Sequence, residues 1–292
     1  MKRTCFISPL YFNTLFILCF VLVVGGGNIK ADPAESNWEK TDWTPIFQGI
    51  DTATGKADTP RLMRVYALRI DMKAEGVEFF STPRAKEGFA DNVKEVVRQT
   101  VPQFLETHNL QAAVNANFFG AATVSGLAVS QGQIVSKNEK NHPAFLVFKD
   151  KRVEIVDVQD DSDPPADVET AVAGNCIIVK GGTVISQSNQ DIHPRTAVGI
   201  SEDGRYVYFI AIDGRQREYS MGTSYVETGK WLVKFGAWDG LNLDGGGSTT
   251  MVVRTPEEKA KVLNIPVGVG NQPHSLRSNG NSIGVRAKSL AL

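Results

Sequence analysis

Residues Leu241 to Val253, LNLDGGGSTTMVV, set a carboxylate, Asp244, at the mouth of three consecutive glycines between two strand-like runs. Leu241 and Leu243 alternate with Asn242 and Asp244, the period-two pattern of a strand with one apolar face. Glycines give up packing and cost chain entropy, so this turn must gain close backbone approach or positive φ angles. Three more polar clusters end strand-like runs: Asn115 with Asn117; His193, Arg195 and Thr196; and Asp213, Arg215 and Gln216. Such ends are where rigid scaffolds place reactive groups. Carboxylates stabilise or attack a developing cation and activate water, and guanidiniums bind phosphate bidentately.

Each cluster also has a plainer reading. Asp213-Gly214 is a common hairpin turn, and Asn115 and Asn117 can bond local backbone. His193 before Pro194 reads as a loop histidine rather than a metal ligand. Cys176, followed by Ile177, Ile178 and Val179, reads as a buried strand thiol. Several chemistries are excluded. The DGGGSTT turn lacks a P-loop lysine, no GxSxG elbow surrounds Ser248, and no HExxH, CxxC or GxGxxG motif occurs, which argues against zinc, redox and Rossmann-type function.

The elements that must position these groups are mostly strands. Val65, Ala67 and Ile70, then Val77 to Phe80, predict a pair of strands. Further strands are predicted at Leu110 to Asn115, Ala144 to Phe148, Cys176 to Val179, Thr196 to Ile200, Tyr206 to Ile212 and Thr249 to Val253. Val93, Val96, Val97, Val101, Phe104 and Leu105 predict a helical stretch near Asp91 to His108. Pro102 and the Thr100–Gln103 capping pair divide it, with a second helix that holds Pro102 in its first turn. Ser224 and Glu227 form a capping box for a helix running toward Gly236. The fold class is α+β, with mostly antiparallel strands and a few packed helices in a single catalytic domain. Trp231 and Trp238, in or just after that helix, read as core.

The 292 residues carry 31 basic and 32 acidic side chains without a basic block, so no nucleic-acid footprint is present. Lys2 and Arg3 precede an apolar run from Leu15 to Val24, the pattern of a secretory signal peptide over residues 1–31. That run is too short for a stable transmembrane anchor. Its removal takes Cys5 and Cys19, leaving Cys176 as the only thiol and no internal disulfide. The expected location is periplasmic or extracellular. Residues 32–60 read as an N-terminal arm or linker, although Trp38, Trp43, Ile46, Phe47 and Ile50 can dock on the main body, and residues 61–292 form the catalytic domain. The sequence sets no oligomeric state.

Five blocks in order resemble the phosphodiester glycosidase family. They are AAVNANFF (Ala112–Phe119), HPRTAVGI (His193–Ile200), IDGRQ (Ile212–Gln216), LNLDGGGSTTMVV, and RSNGNSIGV (Arg277–Val285). The resemblance covers roughly residues 61–286. Asn117 stands where the family commonly has glycine, and Leu276 stands where an acidic residue precedes the arginine. The resemblance implies hydrolysis of a sugar-1-phosphodiester to free sugar and a phosphomonoester, in envelope or exopolysaccharide glycan processing.

The residue types suit that reaction. Asp244 stabilises or attacks the oxocarbenium-like centre, and Asp213 activates water or serves as a second carboxylate. Arg195, Arg215 and Arg277 bind the phosphate. Asn115, Asn117, Asn242 and Asn281 bond sugar hydroxyls or hold the carboxylates, while Gly245, Gly246, Ser248 and Thr249 line the substrate. No cofactor or metal is required; Ca²⁺ held by the same Asp and Asn oxygens is the alternative use. A secreted non-catalytic glycan-binding module and a structural envelope protein are the competing readings, and neither needs two carboxylates at converging strand ends.

Overall fold

The computed structural model describes residues 37–85, 95–121 and 123–290. The signal-peptide reading therefore lies outside the described residues. Strands dominate, and every sheet pairing between them is antiparallel. Two α-helices, Val101–Thr107 and Tyr225–Phe235, accompany them among the described residues. The fold is thus mainly β, a coarser match to the α+β expectation.

The largest sheet runs, in hydrogen-bonded order, Glu39–Lys40, Ile50–Ala57, Met63–Asp71, Tyr206–Ile212, Arg195–Ile200, Asp239–Asn242, Cys176–Lys180 and Thr183–Val184. Thr44–Phe47 also pairs with Ile50–Ala57. A second sheet orders Val153–Val156, Ala144–Phe148, Val168–Ala173, Ala128–Ser130 and Gln133–Ser136. The third orders Ala260–Val262, Met251–Arg254, Ala112–Asn115, Ser282–Arg286 and Glu78–Ser81.

Alternation along the central strands divides the core. Leu68, Ile70, Val207, Phe209 and Leu241 face Val114, Phe145, Met251 and Ile283 of the two smaller sheets. Val65, Ala67, Tyr208, Ile210 and Ile212 pack instead with Trp231, Leu232 and Phe235 of the longer helix. Burying a side chain of this size contributes about 2 kcal/mol, so the two faces lock the sheet between layers. The shorter helix covers the outer face of the third sheet through Phe104, Leu105 and Val252.

Three expectations are corrected. Residues 39–57, inside the stretch read as an arm, supply three strands of the largest sheet, and Trp38 stacks on Trp231 at 4.7 Å between ring centroids. The strands at Met63–Asp71 and Glu78–Ser81 sit in different sheets rather than as a pair. The helical reading from Asp91 falls partly outside the described residues, while Val96 and Val97 precede the helix, which starts at Val101 behind the Thr100–Gln103 capping box. The second capping box, Ser224 with Glu227, opens the longer helix, and Gly236 ends it in the left-handed conformation.

Candidate active site

Register gathers the polar clusters at one end of the largest sheet. Arg195 lies opposite Ile212, so Asp213 follows beside it, and Asn242 lies opposite both Ala197 and Cys176. In the third sheet Asn115 pairs with Ser282 and Met251 with Val114, which brings Asn115, Thr250 and Asn281 to that sheet's end. The segment from Leu243 to Thr250 crosses between the two sheets, and Asp244 sits on it.

This crossover is clamped along its length. Leu243 N–H donates to Thr196 O at 2.9 Å, Asp244 N–H to Ala116 O at 2.9 Å, and Gly246 N–H to Pro194 O at 2.9 Å. The Asn115 amide donates to Asp244 O, while its own oxygen accepts from Thr196 Oγ1 at 2.7 Å and Thr250 N–H at 3.1 Å. Glycine is demanded twice. A Cβ on Gly245 would sit 2.6 Å from Pro194 O, and Gly246 holds φ +60° with the Arg215 Nη2 atom 3.0 Å from where its Cβ would be.

Asp244 is buried, and desolvation pushes its carboxyl up to about 6. The Ser248 hydroxyl, the Arg277 guanidinium and the Gly245 N–H pull the other way. Ser248 acts from a distance at which its hydroxyl has no well-formed hydrogen bond of its own. Asn242 Oδ1, Thr249 Oγ1 and Thr250 Oγ1 are buried and unpartnered as well. Unmatched buried oxygens are costly, and four on one nine-residue segment mark a place that favours a polar ligand or water.

Asp213 is fully buried and also raised to about 6, chiefly by desolvation. Its carboxylate accepts from Asn264 Nδ2 at 2.8 Å, Ile265 N–H at 2.9 Å and Tyr219 OH at 3.3 Å. Asn264 donates in turn to Thr249 O and accepts from Met251 N–H. Asp213 is therefore coupled to the crossover through Asn264 rather than standing open beside Asp244.

The arginines occupy three settings. Arg195 is buried, donates to Thr223 O at 3.1 Å and Asp191 O at 2.7 Å, and lies 4.0 Å over the Tyr225 ring. Arg215, exposed and at φ +60°, donates to Asn271 Oδ1 at 2.9 Å and approaches His193 Nδ1 at 3.5 Å. Arg277 lies 5.0 Å over the Phe119 ring, with its charge felt at Asp244. Among the described residues none of the three forms an ion pair with a carboxylate.

Two asparagines are used up internally. Asn117 donates to Ser125 O and Leu127 O and accepts from Asn281 Nδ2, whose own oxygen accepts from Thr82 N–H. They frame the site rather than line it. Asn242 donates to Asn175 Oδ1 and Leu243 O, and Asn175 reaches Tyr225 OH. Burial raises the Cys176 thiol to about 11 and keeps it protonated. No group of three or more His, Cys, Asp or Glu side chains is placed to hold a metal ion among the described residues.

Sequence reasoning missed Asn175, Tyr219, Tyr225 and Asn264. Tyr225 follows the helix cap, and Asn264 precedes Ile265-Pro266 in a loop with no periodicity, so no local pattern singles either out. A cavity of about 720 Å³ lies at the opposite end of the large sheet among Ile200, Arg205 and Asp239, away from these groups.

Fold and site together define a β-sheet protein with a carboxylate crossover among unpaired guanidiniums. A model of the phosphodiester glycosidase family matches residues 108–286, and the chain belongs to that family. Among solved structures it is similar to the catalytic domain of zebrafish N-acetylglucosamine-1-phosphodiester α-N-acetylglucosaminidase auto-inhibited by its pro-peptide. That likeness has a TM-score of 0.63 and 17% identity, over 86% of this chain and 89% of that one. A Burkholderia pseudomallei protein named as exported follows, with a TM-score of 0.56 and 15% identity over 80% and 76% of the two chains. A hypothetical protein from Synechocystis has a TM-score of 0.53 and 13% identity, over 86% of this chain and 64% of that one. A search of curated proteins found no match. No described helix is long and apolar enough to cross a membrane.

Proposed function

We propose that the protein is a glycoside hydrolase that cleaves a sugar-1-phosphodiester to free sugar and a phosphomonoester. The observation that carries this reading is the buried Asp244 carboxylate on a glycine crossover, with Arg277 acting on it and Arg215 over Gly246. As the anomeric C–O bond breaks, the electron pair leaves with the phosphate oxygen and positive charge grows on the sugar ring. An ionised Asp244 stabilises or attacks that centre, and water supplies the new C–O bond. Phosphate departs readily, so guanidiniums that neutralise it matter more than a strong general acid. Arg195, Arg215 and Arg277 are the groups for that task, and Asp213 fixes the crossover through Asn264.

The basic Lys2-Arg3 start and the apolar run to Val24 support action outside the cytoplasm. Family membership supports a sugar-1-phosphodiester as substrate, and the name of the zebrafish neighbour points to an α-linked N-acetylglucosamine-1-phosphodiester as the first to try, with an envelope or exopolysaccharide glycan as the second. The test is incubation of purified protein with a panel of α-linked sugar-1-phosphodiesters, scored for free sugar and phosphomonoester. Turnover of at least one is expected. Folded protein that binds members of the panel without product would instead make it a glycan-binding module.

A further inference from the structure

His193 has no part in the chemistry above, yet it lies between two of the guanidiniums assigned to phosphate. Arg215 Nη2 approaches its Nδ1 at 3.5 Å, and Arg195 follows it by two residues. An arginine cannot accept a hydrogen bond, so Nδ1 is the accepting nitrogen and the ring proton sits on Nε2. Nδ1, the nitrogen that takes up a proton when the ring is charged, therefore lies beside the Arg215 guanidinium.

The backbone that carries the ring is fixed from both sides. His193 N–H donates to Thr223 O and Thr223 N–H donates to His193 O, at 3.2 and 3.0 Å. The next residue, Pro194, accepts from Gly246 N–H, two residues beyond Asp244. Gly222, at φ +103°, has no room for a Cβ because His193 O would lie 2.4 Å from it. Arg215 is held by Asn271 at positive φ, a conformation unfavourable for a non-glycine residue that its neighbours must enforce.

The charges around His193 are unbalanced. Arg195 and Arg215 both act on it, and the one acid that does so is Asp191, an exposed residue of its own loop whose carbonyl is engaged by Arg195. Burial and the two guanidiniums together hold the imidazole below its ordinary value. Two cations without a carboxylate partner, beside a half-buried donor, form a setting that an incoming dianion relieves.

We propose that His193 and Arg215 form a phosphate-binding pair beside the Gly246 turn, the Nδ1–H of protonated His193 and the Arg215 guanidinium donating side by side to oxygens of one phosphate group. The pair rests on the phosphodiester reading of the site and adds to it a titrating donor. A bound dianion favours imidazolium, so binding takes up a proton, and affinity is greatest at low pH and declines as pH rises through the histidine range.

Inorganic sulfate is the probe, since it stays a dianion throughout that range. Asp244→Asn protein serves as the background, removing one of the two carboxylates that titrate near the same pH; Asp213, the other, is common to every protein compared, so its contribution cancels between proteins with and without His193. Sulfate binding is measured by titration calorimetry at about pH 5.5 and about pH 7.5, where a change in histidine charge is worth about tenfold in affinity. The expected result is a loss of about that size in the background protein, shrinking to less than about twofold when His193→Gln is added. Adding Arg215→Gln weakens binding at both pH values. An equal pH ratio with and without His193, or no sulfate binding at either pH, overturns the pair. His193→Asn repeats the measurement if the glutamine variant misfolds. Unsubstituted protein that hydrolyses no sugar phosphodiester, with the sulfate results as expected, would remove the glycosidase reading and leave the anion site. Hydrolysis alongside a histidine-independent sulfate ratio would do the reverse.

Discussion

The side-chain amide of Asn115 donates to the backbone carbonyl of Asp244, so the last residue of a strand in the third sheet holds the carboxylate delivered by the largest sheet. The same side chain accepts from Thr196 of the largest sheet and Thr250 beyond the glycines. One buried amide thus ties together both sheets and both ends of the crossover.

Replacing Asn115 by alanine strands the Thr196 hydroxyl, the Thr250 N–H and the Asp244 carbonyl, and should cost about 3–5 kcal/mol of stability by denaturant titration. Asn115→Asp keeps the acceptor for Thr196 and Thr250 but sets an oxygen against the Asp244 carbonyl. It should lower kcat by about 10- to 100-fold with KM little changed. A kcat equal to that of the unsubstituted enzyme would separate the sheet junction from the chemistry.

Asp244 binds its proton more tightly folded than unfolded, at about 6 against 3.8. Its contribution to stability is therefore complete below about pH 3.8 and is lost as pH rises through about 6. Asp244→Asn should abolish turnover and stabilise the protein near pH 7.5 by up to about 3 kcal/mol, a gain that disappears near pH 4. On the proposed mechanism turnover needs the ionised carboxylate, so kcat/KM should climb as pH rises through about 6. Melting curves and rates across that range check both, and undiminished turnover in the variant would remove Asp244 from the mechanism.

The strands that bury large aliphatic residues in alternation were legible from sequence, and Ala144–Phe148 and Tyr206–Ile212 fall where the pattern puts them. Ile50–Ala57 was not, because its inward positions are Ala53, Gly55 and Ala57. A Cβ on Gly55 would lie 2.6 Å from the Trp231 ring, so a distant tryptophan fills the volume the strand leaves empty. Trp231 is core as expected, whereas Trp238 is 39% exposed, one turn too late to share the buried helix face. In the site, residue types located the polar clusters, but which amides are consumed internally depends on partners up to 199 residues away. No local pattern encodes that.

Asn264 joins Asp213 to the crossover, accepting from Met251 N–H and donating to Asp213 Oδ1 and Thr249 O. Asn264→Ala leaves a buried carboxylate short of one donor and a buried N–H without an acceptor. The expected cost is about 2–4 kcal/mol. Asp213 should then hold its proton to higher pH than about 6, which carboxyl resonances followed by NMR titration would register. An unchanged Asp213 titration would mean that Asn264 supports the loop without tuning the carboxylate.

Two glycines separate close approach from backbone conformation. Gly245 has an ordinary negative φ of -128°, but its Cβ would lie 2.6 Å from the Pro194 carbonyl, which cannot swing aside because Gly246 N–H is bonded to it. Gly245→Ala should cost about 1–3 kcal/mol and displace Asp244 enough to lower kcat/KM by about 100-fold. Gly181 has φ +58° with nothing within 4 Å of a Cβ, so Gly181→Ala should cost about 1 kcal/mol from conformation alone and leave kcat/KM unchanged. Melting temperatures and rates for the pair check the contrast, which requires that the DGGGS crossover be tuned by contact with Pro194. Equal activity in the two variants would show that the crossover accommodates the methyl without moving the carboxylate.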